Sequence, residues 1–332
     1  MVYRVLDIDL STLSAIESKA SRLAKETYFR EAYSDLASWI DVPYLCQRTL
    51  ALTLKPETLV SRQVETVLEY LFHHGFEPFL AHYGIHSRCA IREIWRYQWN
   101  IATLERLELM ERLMCSWGSI WILAWDVSQP PNENLTLPAT ARFCELKGSA
   151  LAHEHEAGQL RPLLRGGNRI LTFVHAADEP FDIIRELGIL FDRRHRRMIV
   201  ERWLTYVESG NRSLEDLDDF LANDVEYPIH DLELQSAANR LMGWAQDRRH
   251  YGLVDMIEQA IAGRYIPLDT MFDILDEEND PLLIWDALVI GTNCILHDFP
   301  GAVCEIEADG VIEWKEGLGR VVGPDSNVLL TP

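Results

Sequence analysis

Asn168-Arg-Ile-Leu-Thr-Phe-Val-His-Ala-Ala-Asp-Glu-Pro180, running on into Ile184-Arg-Glu-Leu-Gly-Ile-Leu-Phe191, decides how this chain is read. The apolar run from Ile170 to Val174 predicts a buried strand that delivers His175 at its end. A turn follows, then an amphipathic helix from about Pro180. Glu186 falls eleven residues after His175 on that helix, close enough to reach back. An acceptor that fixes one imidazole nitrogen leaves the other free to attack an electrophile. The plainer reading is a strand-end histidine that bonds a neighbouring loop.

Working outward, residues 47 to 54 predict a central strand ended by Lys55-Pro56. A helix over 59 to 74 stops at His73-His74-Gly75. Phe76 to Tyr83 reads as a second strand, two helices fill 88 to 114, and a third strand covers 119 to 125. Gln129-Pro-Pro-Asn-Glu-Asn134 has the composition of a solvent loop. A short helix from Leu137 to Leu146 leads into a long irregular loop over 147 to 168, and such loops inside compact domains are usually functional. The order β-α-β-α-β-loop-β-α is that of a ferredoxin-like α+β sandwich, an antiparallel sheet with helices on one face.

Four of these stretches together resemble nucleoside diphosphate kinases. Val174-His175-Ala176-Ala177-Asp178 with Arg185-Glu186-Leu187-Gly188 is similar to the family's His-Gly-Ser-Asp strand end and the Arg-Glu-Ile of its next helix. Thr49 to Glu57 is similar to the strand ending in Ile-Lys-Pro-Asp, Ser116 to Trp125 to the Ser-Gly-Pro strand, and Gly158-Gln-Leu-Arg161 to Gly-Thr-Ile-Arg. The resemblance covers roughly residues 46 to 192. It implies that His175 attacks the γ-phosphorus of a Mg²⁺-bound nucleoside triphosphate such as ATP, oriented by Glu186, and passes the phosphoryl group to a nucleoside diphosphate or related acceptor. It also implies that Lys55, Arg142 and Arg161 contact phosphates, and that the chain forms a homo-oligomer. Departures concern the nucleoside: Thr172 stands where the family has asparagine, Asn168 is out of register in the preceding loop, and Ala177 replaces a serine. Tyr97, Trp95 and Trp99 are candidates to stack on the base. The plainer readings are a strand-ending lysine in solvent and arginines in surface ion pairs.

The chain has 332 residues, 48% of them hydrophobic, with ten tryptophans, which excludes a largely disordered protein. A formal net charge of −21 repels phosphate backbones and anionic lipid, which argues against nucleic acid and membrane as general partners. A nucleotide pocket would then need a local basic lining, which Lys55, Arg142, Arg161 and Arg165 could provide. The six cysteines show neither C-x-x-C pairing nor zinc-type spacing and read as buried thiols. The N-terminus has no signal-type apolar core, and the run Ile120 to Trp125 is far too short to span a bilayer; a cytoplasmic protein is expected. His153-Glu-His-Glu156 could be read as a metal site but is better read as solvated loop, so no protein metal site is expected.

Residues 1 to 45 read as a helical extension, with Ser11 as N-cap and Leu13, Ile16, Ala20, Leu23 and Ala24 on one face. Beyond Asp192 the basic run Arg193-Arg-His-Arg-Arg197 reads as a helix junction whose arginines pair with carboxylates. Helices follow from Ser213 and near 231 to 247, 251 to 263, 268 to 276 and 280 to 295. Ala302 to Trp314 and Leu318 to Leu330, with Asp309-Gly310 at a turn, predict a β-hairpin. Residues 193 to 332 are therefore expected to form a mostly helical module, distinct from the 46 to 192 domain and available to a protein partner. The alternative function is a nucleotide-binding or protein-interaction module with a degenerate kinase fold.

Overall fold

The computed structural model describes residues 8–129, 136–222, 228–306 and 310–323. Strand β1 (Thr49–Leu54) is buried along its whole length, as its unbroken apolar run requires. It pairs antiparallel with β3 (Ser119–Asp126) on one side and with β4 (Val174–Ala176) on the other. The strand β2 (Phe76–Gly84) completes a four-stranded antiparallel sheet in the order β2-β3-β1-β4. This is the ferredoxin-like α+β arrangement expected from the sequence.

Alternation along the strands sorts their side chains onto two faces. Leu50, Leu52, Leu54, Ile120, Ile122, Val174 and Ala176 join one buried cluster, while Ala51, Trp121, Leu123, Trp125 and Ala177 join another. Both faces are covered, where one was expected. The helices Val64–His73, Leu104–Ser116 and Ala139–Lys147 lie over the first face, with Val67, Leu71, Leu109, Leu113 and Phe143 in its core. The second face receives the helices Thr27–Leu36, Val42–Gln47, Pro180–Leu190 and Arg193–Ser209.

Two packing details matter for the site. Gly188 lets the Pro180–Leu190 helix lie directly on the Thr27–Leu36 helix: a Cβ there would stand 2.3 Å from the Tyr28 carbonyl oxygen. Phe29 and Phe181 stack at 3.9 Å beside it. At the opposite edge, the segment after the Arg193–Ser209 helix covers β2. Ala81 N–H donates to Ser213 O at 3.0 Å, Ser213 N–H to Phe79 O at 2.7 Å and Tyr83 N–H to Asp216 Oδ2 at 2.8 Å.

The basic run beyond Asp192 pairs largely as expected, with Arg193 against Asp35, Arg196 against Glu31 and Asp35, and Arg197 against Glu201. The helices Leu234–Asp247, Tyr251–Ile261, Leu268–Glu278 and Pro281–Cys294 contribute Leu241, Ile257, Met271 and Trp285 to the same cluster that holds Leu52 and Ile122. The apolar core is therefore continuous from the sheet into the C-terminal helices. Trp203 of the preceding helix packs with Phe79 on the other face. None of the six cysteines forms a disulfide. Among the described residues no helix is long and apolar enough to cross a membrane.

Three expectations are corrected. The long N-terminal helix is broken: Leu10–Thr12 is a single 3-10 turn capped by Asp9 rather than Ser11, and Glu17–Leu23 is a separate helix. The strand carrying His175 is shorter and later than predicted, because Phe173 takes φ +64° and ends any extension back to Ile170. The predicted C-terminal hairpin is replaced by a helical turn at Val311–Lys315, while its Asp309 and its end at 324 to 330 lie outside the described residues.

Candidate functional site

Register on the second face lines up four side chains across the sheet. His82 on β2 faces Trp121 on β3, Trp121 faces Thr53 on β1, and Thr53 faces His175 on β4. The strand carrying His175 is held by its approach. Phe173 N–H donates to Glu57 Oε1 at 2.9 Å, and Lys55 N–H to Phe173 O at 2.9 Å. The left-handed Phe173 thus reverses the chain tightly before β4, and Val174 N–H closes onto Thr172 O at 2.7 Å.

His175 Nε2 lies 2.7 Å from Glu186 Oε1, with the histidine side chain 18% exposed and the glutamate 5%. A carboxylate only accepts, so Nε2 is the protonated ring nitrogen in that contact. No partner for Nδ1 is found among the described residues. The edge of Trp95 closes one side of the ring, with centroids 4.9 Å apart at 75°. His86 lies within electrostatic reach of both His175 and Glu186; burial first, and then the His175 charge, push its imidazole down to about 4.

The turn between β4 and its helix is built from buried charge. Glu179 caps the helix reciprocally with Asp182 and also accepts from Ser14 Oγ at 2.7 Å, Ala15 N–H at 2.7 Å and Trp314 Nε1 at 3.0 Å. Lys19, 1% exposed, pairs with Glu179 at 2.9 Å and Asp182 at 2.6 Å. Burial pushes Asp182 up to about 6 against the pull of Lys19. Burial also raises Asp178, but Lys147 and Lys19 outweigh it and hold that carboxyl well below the usual range.

The other residues singled out in the sequence stand apart from the His175 ring. Lys55, 2% exposed, is paired with Glu57 at 2.7 Å and donates to Ile170 O and to Thr172 Oγ1 at 3.2 Å. That contact also occupies Thr172. Arg142 forks onto Asp126 at 2.8 and 2.9 Å. Asp126 follows Trp125, the partner of Thr49, four residues along β1 from Thr53, which is roughly 13 Å at the rise of a strand. Arg161 comes nearest. Its guanidinium donates to Val174 O at 3.1 Å and to Gly148 O at 2.9 Å, and burial pushes it down to about 10.

Asn168 donates to Thr292 Oγ1 at 3.1 Å and accepts from the Ile170 and Leu171 N–H groups. Tyr97 OH donates to Glu26 Oε1 at 2.8 Å. Arg165 is 85% exposed, beside Glu233 at 3.8 Å. His155 faces Ser149 O at 2.9 Å and His153 is exposed. Among the described residues no three His, Cys, Asp or Glu side chains converge as metal ligands.

Sequence reasoning passed over a second histidine-carboxylate pair. His230 Nε2 lies 2.9 Å from Asp286 Oδ1, and both side chains are fully buried. His230 Nδ1 accepts from Leu232 N–H at 2.9 Å, which places the ring proton on Nε2. Arg240 Nη2 donates to the same Asp286 oxygen at 2.7 Å. The signal was present: Asp286 interrupts Leu282-Leu-Ile-Trp-Asp-Ala-Leu-Val-Ile290, and a carboxylate in so apolar a helix needs a partner.

No family model and no curated protein matches the chain. Among solved structures it is similar to a nucleoside diphosphate kinase from Encephalitozoon cuniculi, at 12% identity and TM-score 0.36 over 43% of this chain and 88% of the other. The corresponding values for the Aquifex aeolicus enzyme are 14% and 0.34 over 44% and 95%. For the Halobacterium salinarum enzyme in complex with CDP they are 13% and 0.35 over 43% and 87%.

Proposed function

We propose that the chain is a histidine-dependent phosphotransferase in which His175 takes the γ-phosphoryl group of a nucleoside triphosphate and hands it to a nucleoside diphosphate or related acceptor. The observation that carries this reading is the His175 Nε2 to Glu186 Oε1 contact at 2.7 Å on a half-buried ring. The Nδ1 lone pair attacks the γ-phosphorus, the bond to the bridging oxygen breaks, and the nucleoside diphosphate leaves. The Nε2 proton stays against Glu186, which stabilises the positive charge developing on the ring. Return of the phosphoryl group to an acceptor oxygen reverses these steps. Arg161, bonded to the backbone beside His175, is the protein cation best placed to support the transfer. Mg²⁺ would arrive on the nucleotide phosphates, neutralising part of their charge. The same reading carries the expectation of a cytoplasmic homo-oligomer.

A specific observation favours a second reading, a nucleotide-binding or protein-interaction module without turnover. Phosphoryl transfer depends on cations placed around the phosphates, and here Lys55 is paired with Glu57 while Arg142 is forked onto Asp126. Mass spectrometry at neutral pH after brief exposure to ATP separates the two. The first reading expects one phosphate on the wild type and none on a folded His175→Ala variant. Label that survives the substitution, or an unlabelled wild type that still binds ATP, would overturn it.

A further inference from the structure

Over the sheet face that carries His175 a cavity of about 280 Å³ opens between the strand ends and the helices Arg88–Ile94 and Pro180–Leu190. At ~30 Å³ per water in the liquid, its volume equals roughly nine waters, which suits a molecule of one or two rings. Its far wall is Phe191, whose ring packs on the nearly buried Trp121 at 5.1 Å, joined by Leu190 and Ile85. Its polar groups are the imidazoles of His82 and His86 and the hydroxyl of Ser87, and no Lys, Arg, Asp or Glu lines it. Ser119 and Trp121, 2% and 3% exposed, lie beneath this surface, with their hydroxyl and indole N–H closed off from it.

The geometry points to a binding site for a small, uncharged, flat heteroaromatic ligand, held against Phe191, Leu190 and Ile85 and offered hydrogen bonds by His86 and Ser87. Three features select for neutrality. A charged group taken into this wall would lose water without gaining a counter-ion, a large cost. Carboxylates face both lining histidines, Asp216 at 3.4 Å from His82 and Glu186 within reach of His86, so an anion beside these imidazoles is repelled. His86 itself stays neutral near pH 7, since burial holds its imidazole far below that value. A nucleoside diphosphate placed with its phosphates here is thereby disfavoured, so the inference goes beyond the phosphotransfer reading and stands without it. A smaller hollow of about 60 Å³ across His82 and Phe191 does carry His195 and Arg202, and supplies the competing outcome.

Isothermal titration of the full chain at neutral pH with benzimidazole, indole and quinazolin-4-one, without ATP, tests the site. At least one should bind saturably. Benzimidazole-5-carboxylate should bind at least tenfold more weakly than benzimidazole. Ala90→Phe, which fills the cavity from the Arg88–Ile94 helix, should abolish binding, and His86→Leu, a milder change that keeps the wall apolar, should weaken it at least threefold. Failure of all three heterocycles, undiminished binding in both variants, or tighter binding of the carboxylate through the Arg202 hollow would each overturn the proposal. His175 labelling by ATP is read separately, so its failure leaves this result unaffected.

Discussion

His175 with Glu186 and His230 with Asp286 are the same chemical pair in two settings. Their contacts differ by only 0.2 Å, 2.7 against 2.9 Å. At His230 both ring nitrogens are engaged, one by Asp286 and the other by the Leu232 N–H, and an arginine shares the carboxylate. At His175 one nitrogen is engaged and the ring keeps 18% of its surface exposed. A histidine held at one nitrogen retains a lone pair for chemistry, whereas one held at both serves as a structural cross-link. Availability of the second nitrogen, rather than the hydrogen bond, separates a candidate nucleophile from a rivet.

The largest effect is expected at the rivet. Asp286→Ala leaves the fully buried His230 without its acceptor, while Arg240, 32% exposed, keeps Asp231, so stability measured by chemical denaturation should fall by ~2–4 kcal/mol. A loss below about 1 kcal/mol would mean that the buried pair is incidental. Glu186→Gln keeps an acceptor but removes its charge, and the rate of His175 labelling by ATP should drop about 10²-fold with the fold intact; an unchanged rate would remove Glu186 from the mechanism. His175→Ala strands one largely buried carboxylate and should cost about 1–2 kcal/mol, well short of Asp286→Ala. Equal losses at the two sites would erase the distinction between them.

The remaining effect concerns pH. His86 has its folded value depressed from 6.5 to about 4, chiefly by burial. As pH falls through that window the unfolded chain takes up a proton that the folded chain refuses, so His86 makes stability decline towards acid. His86→Asn should flatten the stability curve between pH 6.5 and 4, and an identical curve would place His86 in a more solvated setting.

What the sequence disclosed follows from the range of the interactions involved. The strand-turn-helix from β4 to Leu190, including the reach of Glu186 to His175, is a local construction, and its apolar periodicity and the Pro180 helix start were readable. The fold class followed from four apolar stretches and the connections between them, while the order β2-β3-β1-β4 came from the structure. The partners of the cations were not legible because they are tertiary. Asp126 is sixteen residues from Arg142, and Lys55 turns inward to Ile170 O across 115 positions rather than outward to solvent. The strand was drawn too early because nothing in Ile170-Leu-Thr-Phe173 announces a left-handed phenylalanine, a conformation forced by the Glu57 carboxylate that receives its N–H. The C-terminal alternation gave way to a helical turn at Val311–Lys315, where Trp314 is drawn in to donate to Glu179.

The bare backbone at Gly188 sets the reach of the dyad. Because the Pro180–Leu190 helix settles on Tyr28 with no side chain between them, a single methyl would collide with a carbonyl oxygen at 2.3 Å and force the helix outward. Glu186 rides on that helix two residues away, so any such lift would be handed to a hydrogen bond that has only a few tenths of an ångström to give. The candidate nucleophile is thus tuned from the far side of the helix that carries its glutamate, by an atom that is missing, and the extension over Thr27–Leu36 acts as the anvil against which the glutamate is set.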